Sequence, residues 1–517
     1  MAAIVLGLAF AAAAVESQPI PNHPRIVAIE VVAHDVFREP VSGWLYRTAN
    51  RLHAETREHV IAREILFEVG QSLDSAVEEA IAQTERNLRA LAFIRDARIE
   101  KIPVGDGEVK LRVVTDDSWS TQPQIGLAKT GNRLTWIVGL AERNFLGLGK
   151  QFRIQRESGL DRDQTLGTYI DPRMFGSRFA SSWLVSDRSD GRRFFAAFER
   201  PFYSLRSRWG LRLAADTFDQ LDPIYEAGEQ VDSLRHLRRF SELQLSRAVW
   251  LGDSSALRLH GGYRFVEDEG DFATRRFGIV RFGLSQVQHR FIKRTHVNRF
   301  EASEDFNLGN EARLFFGMSS DALGGEPGRA WFLSASERRG FDLGEESFAI
   351  ASVSFTGRHR ANRWENAVFA GRLEWLQRLR RKTLLIGKAE YVHGIRLDPG
   401  VQIRLGAERG LRGYPVRQFN GDRSALTGLE TRWFFADDVK NLLSFALAGF
   451  IESGYVWPEG DPIRGRDLKS DVGVALLIGR TRWAGQSAGV RLDFAFALNP
   501  IEGVRRWQVS AGSDVRF

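Results

Sequence analysis

The chain has 517 residues, of which 43% are hydrophobic, so it is long enough for two or more domains and too apolar to be disordered. Its net charge of +7 arises from 72 basic and 65 acidic residues. These are spread along the chain without a basic tract that could follow a phosphate backbone, which argues against nucleic-acid binding. There is no cysteine, and this excludes a disulfide framework and a thiolate metal site.

The N-terminus is predicted to be an export signal. Residues 2–15 form an unbroken apolar run, which is too short to cross a bilayer as a helix and ends in small residues. We therefore interpret residues 1–18 as a secretory signal peptide cleaved near Ala14. The alternative is a buried N-terminal helix, and the three prolines between positions 19 and 24 disfavour it.

Residues 24–118 are predicted to form a small α+β domain. Apolar residues at helical spacing indicate a first helix over 56–67. A second helix is predicted to begin at Ser75, where S-x-x-E forms a capping box that satisfies free backbone N–H groups. The order of elements is β-α-α-β-β, with the strands at 26–33, 92–99 and 109–113.

The remainder of the chain, residues 120–517, shows the pattern of a membrane barrel. Apolar and polar residues alternate most regularly over 490–498 and 507–517, and strands of about nine to eleven residues suit a tilted bilayer crossing. Soluble sandwiches also alternate, but their strands are nearer to about five or six residues. The 36 Phe and 13 Trp residues favour the barrel. We find about twenty candidate strands, and an even number from about fourteen to twenty is permitted.

Several short motifs in both parts of the chain match one family. The earlier part contains NRLH at 50–53, VIAREILF at 60–67, RNLR at 86–89 and FI at 93–94. The later part contains RNFLG at 143–147, DPRMFG at 171–176, RPFYS at 200–204, AGFIESG at 448–454 and, most specifically, RGY at 412–414. In these motifs the chain resembles the outer-membrane assembly-factor superfamily, which combines a POTRA domain with a bacterial surface antigen barrel, as in Bam- and Tam-like proteins. The resemblance implies an α+β POTRA domain followed by an all-β transmembrane antiparallel barrel, and we expect about 16 strands.

The resemblance also implies a role for the RGY motif. In this superfamily the motif lies at the tip of a loop that folds back into the barrel, where its arginine pairs with an acid on the inner wall. By position in the matched segment, Glu452 is the predicted partner of Arg412, and Asp471 is the second candidate. Gly413 would let the backbone turn where a side chain would clash, and Tyr414 completes the predicted anchor. The alternative is an ordinary solvated loop arginine.

The function implied by the resemblance is the insertion of β-barrel proteins into the bacterial outer membrane, or the movement of polypeptides across it, with the POTRA domain in the periplasm. The expected partners are unfolded outer-membrane or secreted polypeptides, outer-membrane lipid and accessory lipoproteins, with no cofactor. The expected mechanism is strand addition at the POTRA sheet edge and at a barrel seam between residues 122–130 and 507–517. Gly512 would either weaken that seam or give room for packing. Phe517 resembles the terminal signal for assembly of the barrel itself.

Two alternative functions follow from the same sequence. A single-substrate secretion channel or a passive pore would share both domains. A lipolytic enzyme is suggested only by Ser487 in a G-x-S-x-G motif, but a β-type run follows it and no His lies downstream. We therefore predict no enzyme. The ten His residues lack metal-ligand spacing, so no metal site is predicted.

Overall fold

The computed structural model describes residues 23–36, 54–105, 107–130, 133–461, 464–482 and 489–512. Four predictions lie outside these ranges: the signal peptide, the NRLH motif, Ser487 and Phe517.

The first folded unit is a three-stranded sheet with two helices. Its elements are β1 (Arg25–His34), α1 (Glu58–Ala62), α2 (Ser75–Ala90), β2 (Ile94–Gly105) and β3 (Glu108–Asp117). The sheet order is β1-β3-β2, with β1 parallel and β2 antiparallel to β3. Ile61, Leu88, Phe93 and Leu111 are among the buried side chains of its core.

Two local predictions for this unit need correction. Helix α1 has five residues and does not extend over 56–67. Helix α2 begins at Ser75, but its N-cap is Asp74, whose carboxylate accepts a 2.9 Å hydrogen bond from the amide of Val77. None of the helices in the described part of the chain is long and apolar enough to cross a membrane.

Apart from three 3-10 helices at Met174–Gly176, Asp321–Leu323 and Gly465–Asp467, the described elements that follow β3 are all strands. In chain order they are β4 (Thr121–Thr130), β5 (Arg133–Phe145), β6 (Lys150–Ser158), β7 (Asp163–Asp171), β8 (Ala180–Arg188), β9 (Gly191–Arg200), β10 (Trp209–Glu226), β11 (Glu229–Leu251), β12 (Ser255–Gly270), β13 (Arg275–Gln288), β14 (Phe291–Arg294), β15 (Glu304–Asn307), β16 (Asn310–Ser319), β17 (Ala330–Asp342), β18 (Ser347–Arg360), β19 (Arg363–Arg380), β20 (Thr383–Ile395), β21 (Ile403–Leu405), β22 (Phe419–Gly421), β23 (Arg423–Val439), β24 (Leu443–Trp457), β25 (Lys469–Arg480), β26 (Gly489–Ala497) and β27 (Trp507–Gly512).

Twenty of these strands form one closed antiparallel barrel, while β14–β15 and β21–β22 form two separate hairpins. The prediction of a POTRA domain followed by a 16-stranded barrel is therefore wrong. The barrel has four strands more, and the N-terminal sheet-and-helix unit is not evident as a POTRA domain. The number of strands in a closed barrel depends on tilt and stagger around the whole ring, and no local alternation reports these quantities.

The outer face of the barrel is apolar. On β26, Leu492, Phe494 and Phe496 are 40–51% exposed and alternate with the buried, inward-facing Arg491 and Asp493. The same alternation leaves large apolar side chains on the outside of strands all around the ring. An apolar outer band on a closed barrel is what hydrocarbon covers in a membrane.

The connections between strands alternate between the two ends of the barrel, because neighbouring strands are antiparallel. We call the end at which the chain enters β4 the proximal end and the opposite end the distal end. Two connections are long. The proximal segment, residues 289–309, joins β13 to β16 and contains β14 and β15. The distal segment, residues 396–422, joins β20 to β23 and contains β21 and β22.

Candidate functional site: the occluded barrel lumen

The distal segment folds back into the barrel. Leu411 and Tyr414 are fully buried, and Tyr414 belongs to an apolar cluster with Leu405, Leu426 and Ala497. The Tyr414 hydroxyl lies within hydrogen-bonding distance of the backbone oxygens of residues 470 and 499, at 3.0 and 3.1 Å. A buried tyrosine whose hydroxyl has a partner holds the segment against the distal ends of β25 and β26.

Arg412 reaches beyond this apolar cluster to three acids on the barrel wall. Its Nε and Nη2 donate to the two carboxylate oxygens of Glu452, both at 3.0 Å. Nη2 also donates to Glu430 at 3.1 Å, and Nη1 donates to Asp493 at 3.1 Å. The guanidinium lies 3.5 Å from the centroid of the Phe450 ring. This geometry uses the planar fork of arginine, which lysine cannot reproduce.

Arg412 is charged in this position. Burial alone would lower its pKa, but the carboxylates of Glu452 and Glu430 outweigh burial and raise the pKa. The side chain is 14% exposed, and those of Glu430 and Glu452 are 2% and 1% exposed. Water and salt therefore screen these contacts weakly.

The three acids belong to a larger charged cluster on the inner wall. Glu430 also accepts from Arg432 at 2.7 Å and from both terminal nitrogens of Arg491 at 2.9 Å. Glu452 is paired with Lys388 at 2.9 Å. The cluster spans five consecutive barrel strands, from β20 to β26. Each of the three acids around Arg412 thus has at least one further cation beside it, as buried charge requires.

Gly413 is held by backbone contact. Its amide donates to Asp471 at 3.0 Å, so the second candidate partner of Arg412 contacts the neighbouring glycine instead. A Cβ on Gly413 would lie 2.7 Å from the Cβ of Asp471 and 3.0 Å from the amide nitrogen of Ala497. Only glycine fits at this close approach. The constraint comes from the barrel wall, since the backbone of Gly413 is not in the left-handed region.

Of the predicted anchor residues, Glu452 binds Arg412 and Asp471 binds Gly413. The structure also places Glu430 and Asp493 against Arg412. Sequence reasoning missed these two acids. The available signal was the spacing of Glu430 with Arg432 and of Arg491 with Asp493, two residues apart on one face of a strand. Such pairs on the face opposite the lipid mark an interior charge cluster.

The proximal segment fills the other end of the lumen. Val297 and Phe300 are 3% and 8% exposed and belong to the barrel's main apolar cluster. The Phe300 ring packs edge-on against Phe434 at 5.4 Å. Arg432 donates to the backbone oxygen of Val297 at 2.8 Å and also binds Glu430. One arginine therefore contacts the proximal segment and the acid that holds the distal segment.

A polar space remains beside the inserted segments. It is a cavity of about 400 Å³ lined by Ser336, Ser352 and Ser354 on the wall, with Arg338 and the distal-segment residue Arg409 nearby. The lumen is thus occluded from both ends by chain but is not filled throughout.

The motifs RNFLG and DPRMFG lie where the N-terminal domain meets the barrel. Asn144 donates to the hydroxyl of Thr56 at 2.8 Å. The buried carboxylate of Glu64 accepts from Arg173 at 2.5 Å and from Arg178 at 3.4 Å. These matched motifs therefore hold the domain on the proximal end of the barrel, a role that the sequence did not indicate.

Helix α2 also contacts the proximal segment. Arg89 donates from Nε and Nη2 to the two oxygens of Asp305, at 2.8 and 3.0 Å. Lys293 donates to Glu85 at 2.9 Å. Burial alone would raise the pKa of Glu85, but Lys293 and the amide of Ile99 outweigh it and lower the pKa. The helix is thus joined to the segment by two ion pairs.

Comparison with known proteins finds solved structures that resemble this chain. No family model and no curated protein matches the chain. It is similar to CdiB from Acinetobacter baumannii, with 12% identity, a TM-score of 0.45, and coverage of 95% of this chain and 73% of that one. It is similar to CdiB from Escherichia coli, with 12% identity, a TM-score of 0.44, and coverage of 94% and 75%. For BamA from Haemophilus ducreyi lacking POTRA domains 1–3, the identity is 10%, the TM-score 0.37, and the coverage 94% and 84%. None is close enough for its role to be transferred, so membership of the superfamily stays a prediction.

The predicted seam residue Gly512 is the last residue of β27 and pairs with Arg491. A Cβ there would meet no atom within 4 Å among the described residues. Among all the residues that the structure describes, there is no group of His, Asp and Glu side chains that could bind a metal ion.

Proposed function

We propose that the protein is an outer-membrane assembly and translocation factor, which inserts β-barrel proteins into the bacterial outer membrane or moves polypeptides across it. The N-terminal domain would lie in the periplasm, and the clients would be unfolded polypeptides. The apolar outer face of a closed antiparallel barrel supports the location, because such barrels cross bilayers with strands alone.

The observation that carries the proposal is the occluded lumen, which chain segments fill from both ends of a closed barrel. The first and last barrel strands, β4 and β27, close the ring and pair at Ala511 and Lys129. A closed barrel with a filled lumen is suited to accept a client strand through its wall, between the first and last strands.

A single-substrate secretion channel is the second candidate, and the width of the barrel favours it. Barrels of about 16 strands or more can enclose an aqueous channel, and a polar cavity is already present beside the distal segment. In this case the client would pass along the lumen, and both inserted segments would have to leave it.

The chain contains no cysteine, so two introduced cysteines can form a disulfide only with each other within the chain. Lys129→Cys with Ala511→Cys would close the seam. Leu140→Cys with Ile154→Cys, an opposed pair within the wall, is the matched control. Each variant is placed in liposomes, and the folding rate of a urea-unfolded outer-membrane barrel is measured beside empty liposomes.

Acceleration by the wild type and the control, lost on oxidation of the seam variant and restored by reductant, is the expected result. Acceleration that persists with the seam closed would contradict entry through the wall. Absence of any acceleration by the folded, correctly oriented protein would overturn the assembly role and favour the channel.

A further inference from the structure

Strand β2 is one of the two edge strands of the N-terminal sheet, and an edge strand is where an extended polypeptide could add. The strand pairs with β3 on one side. In an antiparallel strand, the N–H and C=O of one residue point to the same side, and alternate residues point to opposite sides. Ala97 and Ile99 direct these groups away from β3, as their contacts with α2 demonstrate.

Two side chains of α2 occupy this edge. Glu85 accepts a 2.9 Å hydrogen bond from the amide of Ile99. Arg89 donates at 2.8 Å to the backbone oxygen of Ala97. A client strand that paired with β2 would need these same backbone groups, so it would compete with both side chains.

The same two side chains hold the proximal segment. The second oxygen of Glu85 accepts from Lys293, and the remaining nitrogens of Arg89 bind Asp305. Arg89 is 5% exposed, and all three of its guanidinium nitrogens are used in these contacts. The side chain therefore cannot rotate while both contacts persist. Glu85 and Arg89 thus bind both the edge of β2 and the proximal segment.

We propose that binding of an extended polypeptide at the β2 edge and seating of the proximal segment in the barrel are mutually exclusive. A client strand would displace Glu85 and Arg89 from β2 and thereby release Lys293 and Asp305. The edge is therefore a binding surface for an extended polypeptide, and binding there releases the proximal segment from the lumen. This inference rests on the proposed function for the identity of the client, but the competition itself does not need insertion activity.

The experiment measures, in the full chain, how accessible the proximal segment is to a thiol reagent. Val297→Cys places the single thiol at a position that is 3% exposed in the lumen. Its alkylation rate is measured in detergent, with and without a synthetic ten-residue peptide of alternating valine and threonine with lysine at both ends.

The test variant is Lys293→Gln with Asp305→Asn, which breaks both ion pairs from the segment side and leaves the N-terminal domain intact. The matched control is Glu78→Gln with Lys101→Gln. It removes an ion pair between the same helix and strand, at 2.6 Å, that does not involve the proximal segment.

We expect the peptide to raise the alkylation rate at least about tenfold in the wild type and in the control, as loss of charge-assisted hydrogen bonds would do. The test variant should react at the raised rate without peptide and respond no further. A peptide that cross-links to β2 yet leaves the rate unchanged would overturn the inference, as would a test variant that reacts like the wild type. Client insertion with an unchanged rate would refute this competition alone, whereas a rate increase without insertion would refute the proposed function alone.

Discussion

Removal of the Arg412 side chain should release the distal segment from the lumen. In Arg412→Ala, Glu452 would keep Lys388 and the backbone amide of residue 412, while Glu430 would keep Arg432 and Arg491. Breaking a buried ion pair by removing one partner costs about 3–5 kcal/mol, and here the buried acids lose part of the positive charge that compensates them. That cost acts on the docked state only, since the acids regain water when the segment leaves.

About 4 kcal/mol corresponds to roughly a thousandfold change in the equilibrium between docked and released segments. Val416 is 3% exposed in the distal segment, so Val416→Cys reports docking through the alkylation rate of its thiol. We expect Arg412→Ala to raise this rate by two to three orders of magnitude, on the order of the equilibrium change. Arg412→Lys should fall between the two, because an ammonium cannot bind Glu452 through two parallel hydrogen bonds.

Arg409→Ala is the matched control, since Arg409 is an exposed arginine of the same segment. It should leave the alkylation rate within about threefold of the wild type, as expected for an exposed charge. The effect of Arg412→Ala should also change little between low and high salt, because the cluster is buried. An unchanged rate in Arg412→Ala, or an equal increase in the control, would refute the view that these ion pairs hold the segment.

Three further predictions follow from other contacts. Gly413→Ala should weaken docking of the distal segment by about 1–3 kcal/mol through overpacking, seen as faster alkylation of the Val416→Cys thiol; unchanged alkylation would show that the wall yields. Glu64→Gln should undock the N-terminal domain, at a cost of about 3–5 kcal/mol, because two arginines lose their shared carboxylate. Limited proteolysis would detect this, and a digestion pattern identical to that of the wild type would contradict it. The pKa of Glu85 is lowered in the folded protein, so its ion pair with Lys293 stabilises the seated proximal segment fully above its ordinary value of 4.5 and is lost as pH falls through the lower folded value. Alkylation of the Val297→Cys thiol should therefore accelerate at acidic pH, and a pH-independent rate after correction for thiolate content would oppose this assignment.

The sequence by itself determined the properties that depend on neighbouring residues along one strand. The alternation over β26 places Leu492 and Phe494 outside and Arg491 and Asp493 inside, because successive side chains of a strand point to opposite faces. The RGY motif and the AGFIESG segment also pointed to Arg412 and Glu452, through the resemblance to a known superfamily.

Only the tertiary structure decided the properties that depend on strands far apart in the chain. The count of twenty barrel strands follows from tilt and stagger around the ring, and no single strand carries that information. Glu430 and Asp493 join Arg412 because β23 and β26 face the same lumen, although 63 residues separate them in sequence. The double role of Arg89 was equally hidden. This helical arginine binds the edge of its own sheet and also a barrel segment 216 residues away, and the second contact forms only when the two units pack together.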